Sequence, residues 1–362
     1  MILQILPKGD TSIGYIEFLQ DNFSEDIKFI LVDREVLAMD SDEETFDPED
    51  VKIIKSRRDL LEDRQCRYWV KSSDAIIVNW ADGLILAILK KYISKIAIVF
   101  WGGDLRSLKD GLNSQSLFTR TSKKVIKGLI EDAKCIITLL PGDFEDLCSF
   151  CSPKGKWYLG SIMTKEKSKL LVHALNIDSE NTKKILLGNS STPTNRHFEA
   201  FDYLSHFCNE QIEIYAPLSY GDMDYRSRVI KKGEAVFGDK FKPLLELLSP
   251  KEYMSLLSQM HVAVFNQDRQ QGMGNIQRLL ALGSKVFLSS KGPMLNDFTK
   301  DGFKVFETET IPNLSFSEFL AMDSEDKDHN RDIANFEKLA NESIDQWEKI
   351  FAFLTLKENR NG

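Results

Sequence analysis

Short β-branched runs separated by helical patterns occur in two successive series along this chain, and that alternation constrains its fold more than any other feature. The first series occupies residues 27–32, 51–54, 75–78, 96–101 and 135–139. The second begins after a polar stretch at 178–182 and occupies 185–187, 212–215, 262–265 and 286–289. Strands interleaved with helices predict parallel sheets joined by crossovers. At 362 residues the chain exceeds the size at which one core usually stops growing, so the two series predict two doubly wound α/β domains. The boundary falls between Gly160 and Asn181, giving domains 1–165 and 166–362. Residues 328–355 read as one long terminal helix that packs through Ile333, Phe336, Leu339, Ile344, Trp347, Ile350 and Phe351, with a possible return to the first domain.

Charge and cysteine usage narrow the function. A formal net charge of −8 argues against a nucleic-acid partner, because binding phosphates nonspecifically needs a cationic surface. Residues 116–130 are the local exception, holding Arg120, Lys123, Lys124 and Lys127 without an acid among apolar side chains. Such a segment suits an anionic membrane surface, or else a solvated helix with a core-facing stripe. Five scattered cysteines make no disulfide framework, which points to a reducing, cytoplasmic compartment. Cys148 and Cys151 have CxxC spacing but no second pair to complete a metal site. The opening run Met1-Ile2-Leu3-Gln4-Ile5-Leu6 lacks a basic leader and reads as a first strand. No apolar run approaches the roughly 20 residues of a membrane span.

In open parallel sheets ligands bind beyond the carboxyl ends of strands. In the second half, the run 185–187 opens onto Gly188-Asn189-Ser190-Ser191-Thr192, then a helix at 196–207. Backbone N–H groups and hydroxyls in such a loop can reach a phosphate, helped by the helix N-terminus. A plain N-cap through Thr194 or Asn195 is the alternative, and both stay open. The run 262–265 opens onto Arg269, Gln270, Gln271, Gly272, Gly274 and Asn275 before another helix. Its glycines permit close backbone approach, and Arg269 could neutralise a diphosphate. Two phosphate-suited loops in one domain indicate a nucleotide, although neither a Walker lysine loop nor GxGxxG follows the first strand. Asp222-Met223-Asp224 has DxD spacing but precedes a helical pattern, where capping is expected.

In the first half, Asp10, Asp82 and Asp104 all follow strand ends. A carboxylate there suits a general base acting on a hydroxyl, with solvated or capping roles as the alternative. Trp80 and Trp101 stand beside two of these acids and offer rings on which a sugar could stack, or simply close their strands.

Together these motifs resemble glycosyltransferase family 56, the enterobacterial transferases that add 4-acetamido-4,6-dideoxygalactose from a TDP carrier to the lipid-linked precursor of enterobacterial common antigen. Trp101-Gly102-Gly103-Asp104-Leu105 matches the family's W-G-x-D-L, Gly188-Asn189-Ser190 its G-N-S, and residues 269–274 its R-Q-Q-G-x-G. Segments 217–221, with Tyr220, and 253–257, with Tyr253, are similar too. Where the family carries histidines after its first strand and near residue 79, this chain has Asp10 and Asn79-Trp80-Ala81-Asp82, which implies a different acceptor.

The resemblance implies a GT-B fold, two Rossmann-like domains facing across a cleft, with inversion at the anomeric carbon and no cofactor or essential metal. The nucleotide diphosphate sugar would lie in the second domain on Gly188–Thr192, Tyr220, Tyr253 and residues 269–275. Residues 248–253 would border the base. The lipid-linked saccharide would meet Trp80 and Trp101 in the first, with Asp104, then Asp10 and Asp82, as candidate bases. The expected setting is the inner face of the bacterial cytoplasmic membrane, in surface polysaccharide or O-antigen synthesis. A sugar-nucleotide epimerase and a noncatalytic binding protein are the competing readings.

Overall fold

The computed structural model describes residues 1–33, 47, 49–162 and 182–356, without the side chains of Asp10 and Thr11. Contacts divide the chain into two compact units, Met1–Thr164 with Ala340–Gly362, and Lys165–Leu339. Most of the expected boundary region, 160–181, lies outside the described residues.

Among the described residues the first unit holds seven strands: β1 (Ile2–Pro7), β2 (Ile27–Val32), β3 (Val51–Ile54), β4 (Ala75–Asn79), β5 (Ile96–Phe100), β6 (Cys135–Thr138) and β7 (Lys156–Leu159). Their order is 3-2-1-4-5-6-7 and every pairing is parallel. Alternate residues of the same strand enter opposite cores: Ile76 and Val78 pack on one face, Ala75 and Ile77 on the other. Covering both faces explains why these strands read as unbroken apolar runs. Four helices matter for the site: α1 (Asp10–Asn22), α2 (Gly83–Ile88), α3 (Gly103–Leu112) and α4 (Leu117–Glu131), the last capped by Ser116 Oγ, which accepts the Thr119 N–H.

The second unit repeats the scheme with β8 (Lys183–Leu187), β9 (Ile212–Pro217), β10 (Phe241–Leu244), β11 (Val262–Phe265), β12 (Lys285–Leu288) and β13 (Phe306–Glu307), in order 10-9-8-11-12-13 and again all parallel. Pro243 sits in β10, an edge strand, where a missing N–H is tolerated. Its site helices are α5 (His197–Leu204), α6 (Met223–Phe237), α7 (Pro250–Leu257) and α8 (Met273–Leu282).

The single terminal helix expected over 328–355 is two: α9 (Ser324–Ile333) and α10 (Phe336–Thr355). Asn335 breaks the pattern, its Oδ1 accepting the N–H groups of Glu337 and Lys338 as an N-cap. Trp347, Ile350, Phe351 and Leu354 of α10, spaced to share one helix face, are buried against α1 and the first sheet. The helix expected at 196–207 likewise starts one residue later, because Arg196 adopts a left-handed conformation (φ 52°) after a short turn at Pro193–Asn195.

Both sheets begin at their centre and wind outward in both directions. The crevice at which the winding reverses therefore lies beyond β1 and β4 in the first unit, and beyond β8 and β11 in the second.

Candidate functional site

The loops after β8 and β11 meet at the second crevice. Gly188 turns out of β8 at φ 68°, and a Cβ there would come within 2.9 Å of Asn195 Oδ1 and 3.0 Å of His197 Nε2. Asn195 does not cap a helix as the sequence allowed. Its Oδ1 accepts the Asn189 N–H (3.0 Å), while its amide donates to Ser190 Oγ (3.0 Å) and Thr192 Oγ1 (2.9 Å). Gln267 donates to Asn189 Oδ1 (2.7 Å), as does Gln271 (3.2 Å), and Thr194 donates to Gln271 Oε1 (2.8 Å). Ser191 donates from both its N–H and its hydroxyl to the Tyr220 carbonyl, at 2.9 and 2.7 Å. This buried polar network fixes the loop backbone, so its amides are presented in a set geometry.

Beside it lies a cavity of about 340 Å³ lined by Tyr220, Leu244, Leu248, Tyr253, Asn275 and Arg278, among others. Asn275 donates to the Tyr253 hydroxyl at 2.9 Å, and burial raises the Tyr253 pKa, keeping the phenol neutral. Arg278 has no hydrogen bond or ion pair among the described residues, and desolvation holds its guanidinium below the usual range. A desolvated, uncompensated guanidinium in an apolar cavity favours an anionic ligand. The sequence pointed instead to Arg269, whose Nη1 donates to the Gln270 carbonyl (2.9 Å) and Nε to Thr194 (3.3 Å), so it braces the loop. Arg278 was readable only as the residue one turn beyond Gly274, on the same helix face; its Nη1 lies 3.1 Å from where a Gly274 Cβ would be. Gln270 is buried, and Gly272 adopts φ 69° against the Asn189 side chain.

Beneath the loop, His197 is fully buried. The Tyr225 hydroxyl accepts its backbone N–H (3.1 Å) and lies 3.3 Å from Nδ1; burial lowers the imidazole pKa to about 4. Asp222 Oδ1 accepts the Tyr225 N–H at 2.7 Å, so this DxD acid caps α6. Cys148 is exposed, whereas Cys151 is buried and its thiol is pushed up to about 12 by desolvation.

At the first crevice a cavity of about 320 Å³ is lined by Arg57, Trp80, Asp82, Asp104, Ser107 and Lys123, with further residues of α4. Trp80 leaves β4 at φ 64°, a left-handed conformation rare outside glycine, and stacks on Trp101 with centroids 6.0 Å apart and planes 9° from parallel. Trp101 donates its indole N–H to Asn79 Oδ1 at 3.3 Å. Asp82 is heavily committed: Oδ1 accepts the N–H groups of Leu84 and Ile85, and Oδ2 accepts Arg57 Nε at 2.9 Å. Asp104 Oδ1 accepts the N–H groups of Trp101 (3.0 Å) and Leu105 (2.9 Å) at the start of α3. The side chain of Asp10 lies outside the described atoms; its backbone opens α1.

The four cations of α4, spaced i, i+3, i+4 and i+7, follow one side of the helix but have different surroundings. Arg120 and Lys124 are exposed with Leu117, Phe118 and Val125, the last three at 68, 82 and 59%. Lys127 pairs with Glu131 (3.6 Å). Lys123 turns into the cavity, its stem against Gly111 and its Nζ donating to Ser107 Oγ at 3.1 Å. The missing side chain of Gly83, against Ile126, and that of Gly111 let α4 close on α2 and α3, a tertiary consequence that the charge count alone does not carry.

A family model described as 4-alpha-L-fucosyltransferase, glycosyl transferase group 56, matches residues 17–353. Among solved structures, the chain is similar to sucrose-phosphate synthase from Thermosynechococcus elongatus, with TM-score 0.69 and 15% identity, over 97% of this chain and 100% of that one. It is similar to a glycosyltransferase from Rickettsia africae, with TM-score 0.65 and 15% identity over 99% of each chain. A third similarity is to a UDP-forming alpha,alpha-trehalose-phosphate synthase from Burkholderia xenovorans, with TM-score 0.65 and 9% identity, over 98% of this chain and 100% of that one.

Proposed function

The chain belongs to the 4-alpha-L-fucosyltransferase family, glycosyl transferase group 56, and on that premise we propose that it moves a TDP-linked 4-amino-4,6-dideoxy sugar, with inversion, to a saccharide on polyprenyl diphosphate. It is a glycosyltransferase, and its two units have the GT-B fold. The observation that carries the donor half of the reading is Arg278, a guanidinium without a partner among the described residues, in a tyrosine-lined cavity beside the Asn189 loop.

In the proposed reaction the acceptor hydroxyl oxygen bonds to the anomeric carbon while the bond from that carbon to the diphosphate oxygen breaks. The hydroxyl proton passes to the Asp104 carboxylate, and the nucleoside diphosphate leaves with the bonding pair. Its charge is met by Arg278 and by the amides of Ser190, Thr192, Met273 and Gly274, while the neighbouring amides of Asn189, Ser191 and Asn275 donate within the loops and hold them in place before the reaction begins. The family resemblance implies no essential metal, so a chelator is expected to leave turnover unchanged. Asp82 is the less available base, because Arg57 and two amides already occupy its two oxygens. Trp80 offers the acceptor sugar a partly exposed ring, with Lys123 and Ser107 on the same cavity wall. Among the described residues no helix is long and apolar enough to cross a membrane. The outward face of α4 supplies the proposed contact with the inner face of an anionic cytoplasmic membrane, through Phe118, Leu117 and Val125 with Arg120 and Lys124.

Incubation with TDP-4-acetamido-4,6-dideoxygalactose and a polyprenyl diphosphate-linked saccharide tests the reading by mass of the products. Acceptor-dependent release of TDP with one sugar added to the lipid supports it. Isomerised donor without acceptor would mark an epimerase, and binding without any product a noncatalytic protein.

A further inference from the structure

We infer that Trp347, on the terminal helix α10, is a positioning residue for the tryptophan pair Trp80 and Trp101. This rests on the acceptor reading of that pair given above. A non-glycine residue in the left-handed region carries strain and persists only where its surroundings enforce it. Trp80 has two such restraints: its N–H donates to the Val99 carbonyl at 3.0 Å, and its ring lies on Trp101. Trp101 is backed in turn by the edge of Tyr15, with centroids 6.3 Å apart and planes at 77°. Tyr15 is buried, donates its hydroxyl to Gln4 Oε1 at 3.3 Å, and meets Trp347 edge-on at 5.5 Å and 67°.

Trp347 is the fixed end of this row of four rings. It is wholly buried, and its indole N–H donates to the Ser161 carbonyl at 3.0 Å. Gly160 leaves just enough room for it, since a Cβ there would stand 3.4 Å from Trp347 Cζ2. Gln346 Oε1 accepts both the N–H (2.8 Å) and the hydroxyl (2.9 Å) of Ser161, so the segment that receives the indole is itself tied to α10. The polar side of the row is closed as well: Asn79, which accepts from Trp101, donates to the same Gln4 Oε1 that accepts Tyr15. Close packing transmits the loss of a ring, because a cavity behind Tyr15 gives Trp101 a second place to go. Trp80 then loses the surface that holds its conformation. The donor loops belong to the other unit, so donor binding is expected to be untouched.

The test compares Trp347→Leu, Trp347→Phe and Trp80→Ala for the KM of the polyprenyl diphosphate-linked acceptor, the KM of the TDP-sugar, and the near-UV circular dichroism of the stacked indoles. Trp347→Leu is expected to raise the acceptor KM about tenfold and the donor KM less than about twofold, with loss of part of the aromatic dichroism. Trp347→Phe, which restores a ring against Tyr15 without the bond to Ser161, is expected to recover most of the acceptor KM. A merely structural role predicts a lower unfolding temperature and a smaller active fraction with both KM values unchanged. That result, with Trp80→Ala still raising the acceptor KM, overturns the inference and leaves the acceptor reading standing. An unchanged acceptor KM in Trp80→Ala defeats the acceptor reading and the inference with it. Should Trp347→Leu fail to fold, Tyr15→Leu interrupts the same row and is read in the same way.

Discussion

Thr194 donates its hydroxyl to Gln271 Oε1 at 2.8 Å, and this bond ties the loop after β8 to the loop after β11 across the crevice where the second sheet reverses its winding. Gln271 is buried and also donates to Asn189 Oδ1, so the bond belongs to the network that holds the backbone of residues 189–192. Thr194→Val keeps the shape and leaves Gln271 Oε1 without its donor, a loss of about 1–3 kcal/mol. The expected result is a lower unfolding midpoint and TDP affinity reduced about tenfold, read by calorimetry. Unaltered affinity in a destabilised variant would separate the network from the ligand.

Asp104 and Asp82 are expected to differ in kind. Asn at position 104 can still accept the N–H groups of Trp101 and Leu105, so Asp104→Asn removes the proposed base while preserving those two hydrogen bonds. Turnover is expected to fall by about 10²–10⁴ with TDP affinity retained. Asp82→Asn breaks the pair with Arg57 and is expected to act mainly on thermal stability. Equal losses of turnover in both variants would contradict this division.

The stability of the second unit is expected to depend on acid through His197. Its folded pKa, about 4, lies below the roughly 6.5 of an unfolded histidine, so the unfolded chain takes up the proton first. The contribution is complete above about pH 6.5 and is lost as pH falls toward 4, by about 1.4 kcal/mol per unit. Unfolding midpoints between pH 7 and 5 should therefore fall in the parent protein and fall less steeply in His197→Gln.

On α4, Phe118→Asp and the pair Arg120→Glu with Lys124→Glu are expected to reduce cosedimentation with vesicles of phosphatidylglycerol severalfold. Lys127→Gln should leave it unchanged, because Lys127 already pairs with Glu131. Equal effects from all of these would contradict this division among the four cations.

The strands were legible because they are buried on both faces, so runs such as 27–32 and 262–265 carry their identity in composition alone. The loops at Gly188 and Gly272 were legible because a strand, glycines and a helix follow one another directly. What sequence could not supply was any relationship settled by tertiary packing. Arg278 sits inside a helix pattern, where nothing marks it as unpaired. Lys123 and Lys124 are neighbours with identical chemistry, and the close approach of α4 over Gly83 and Gly111 sends them to different surroundings. The terminal helix pattern continued through Asn335, whose side chain caps the helix that follows it.

Donor binding in the second unit is tested most directly by thermal unfolding of the parent protein and Arg278→Met, alone and with TDP, UDP or GDP. One diphosphate at about 100 times its dissociation constant should stabilise the parent by roughly 2.7 kcal/mol. Arg278→Met should start from a higher midpoint, since a partly desolvated charge with no partner among the described residues is gone, and lose most of that ligand effect. No stabilisation of the parent by any of the three, or an equal shift in the variant, would contradict the assignment of the Arg278 cavity to the donor.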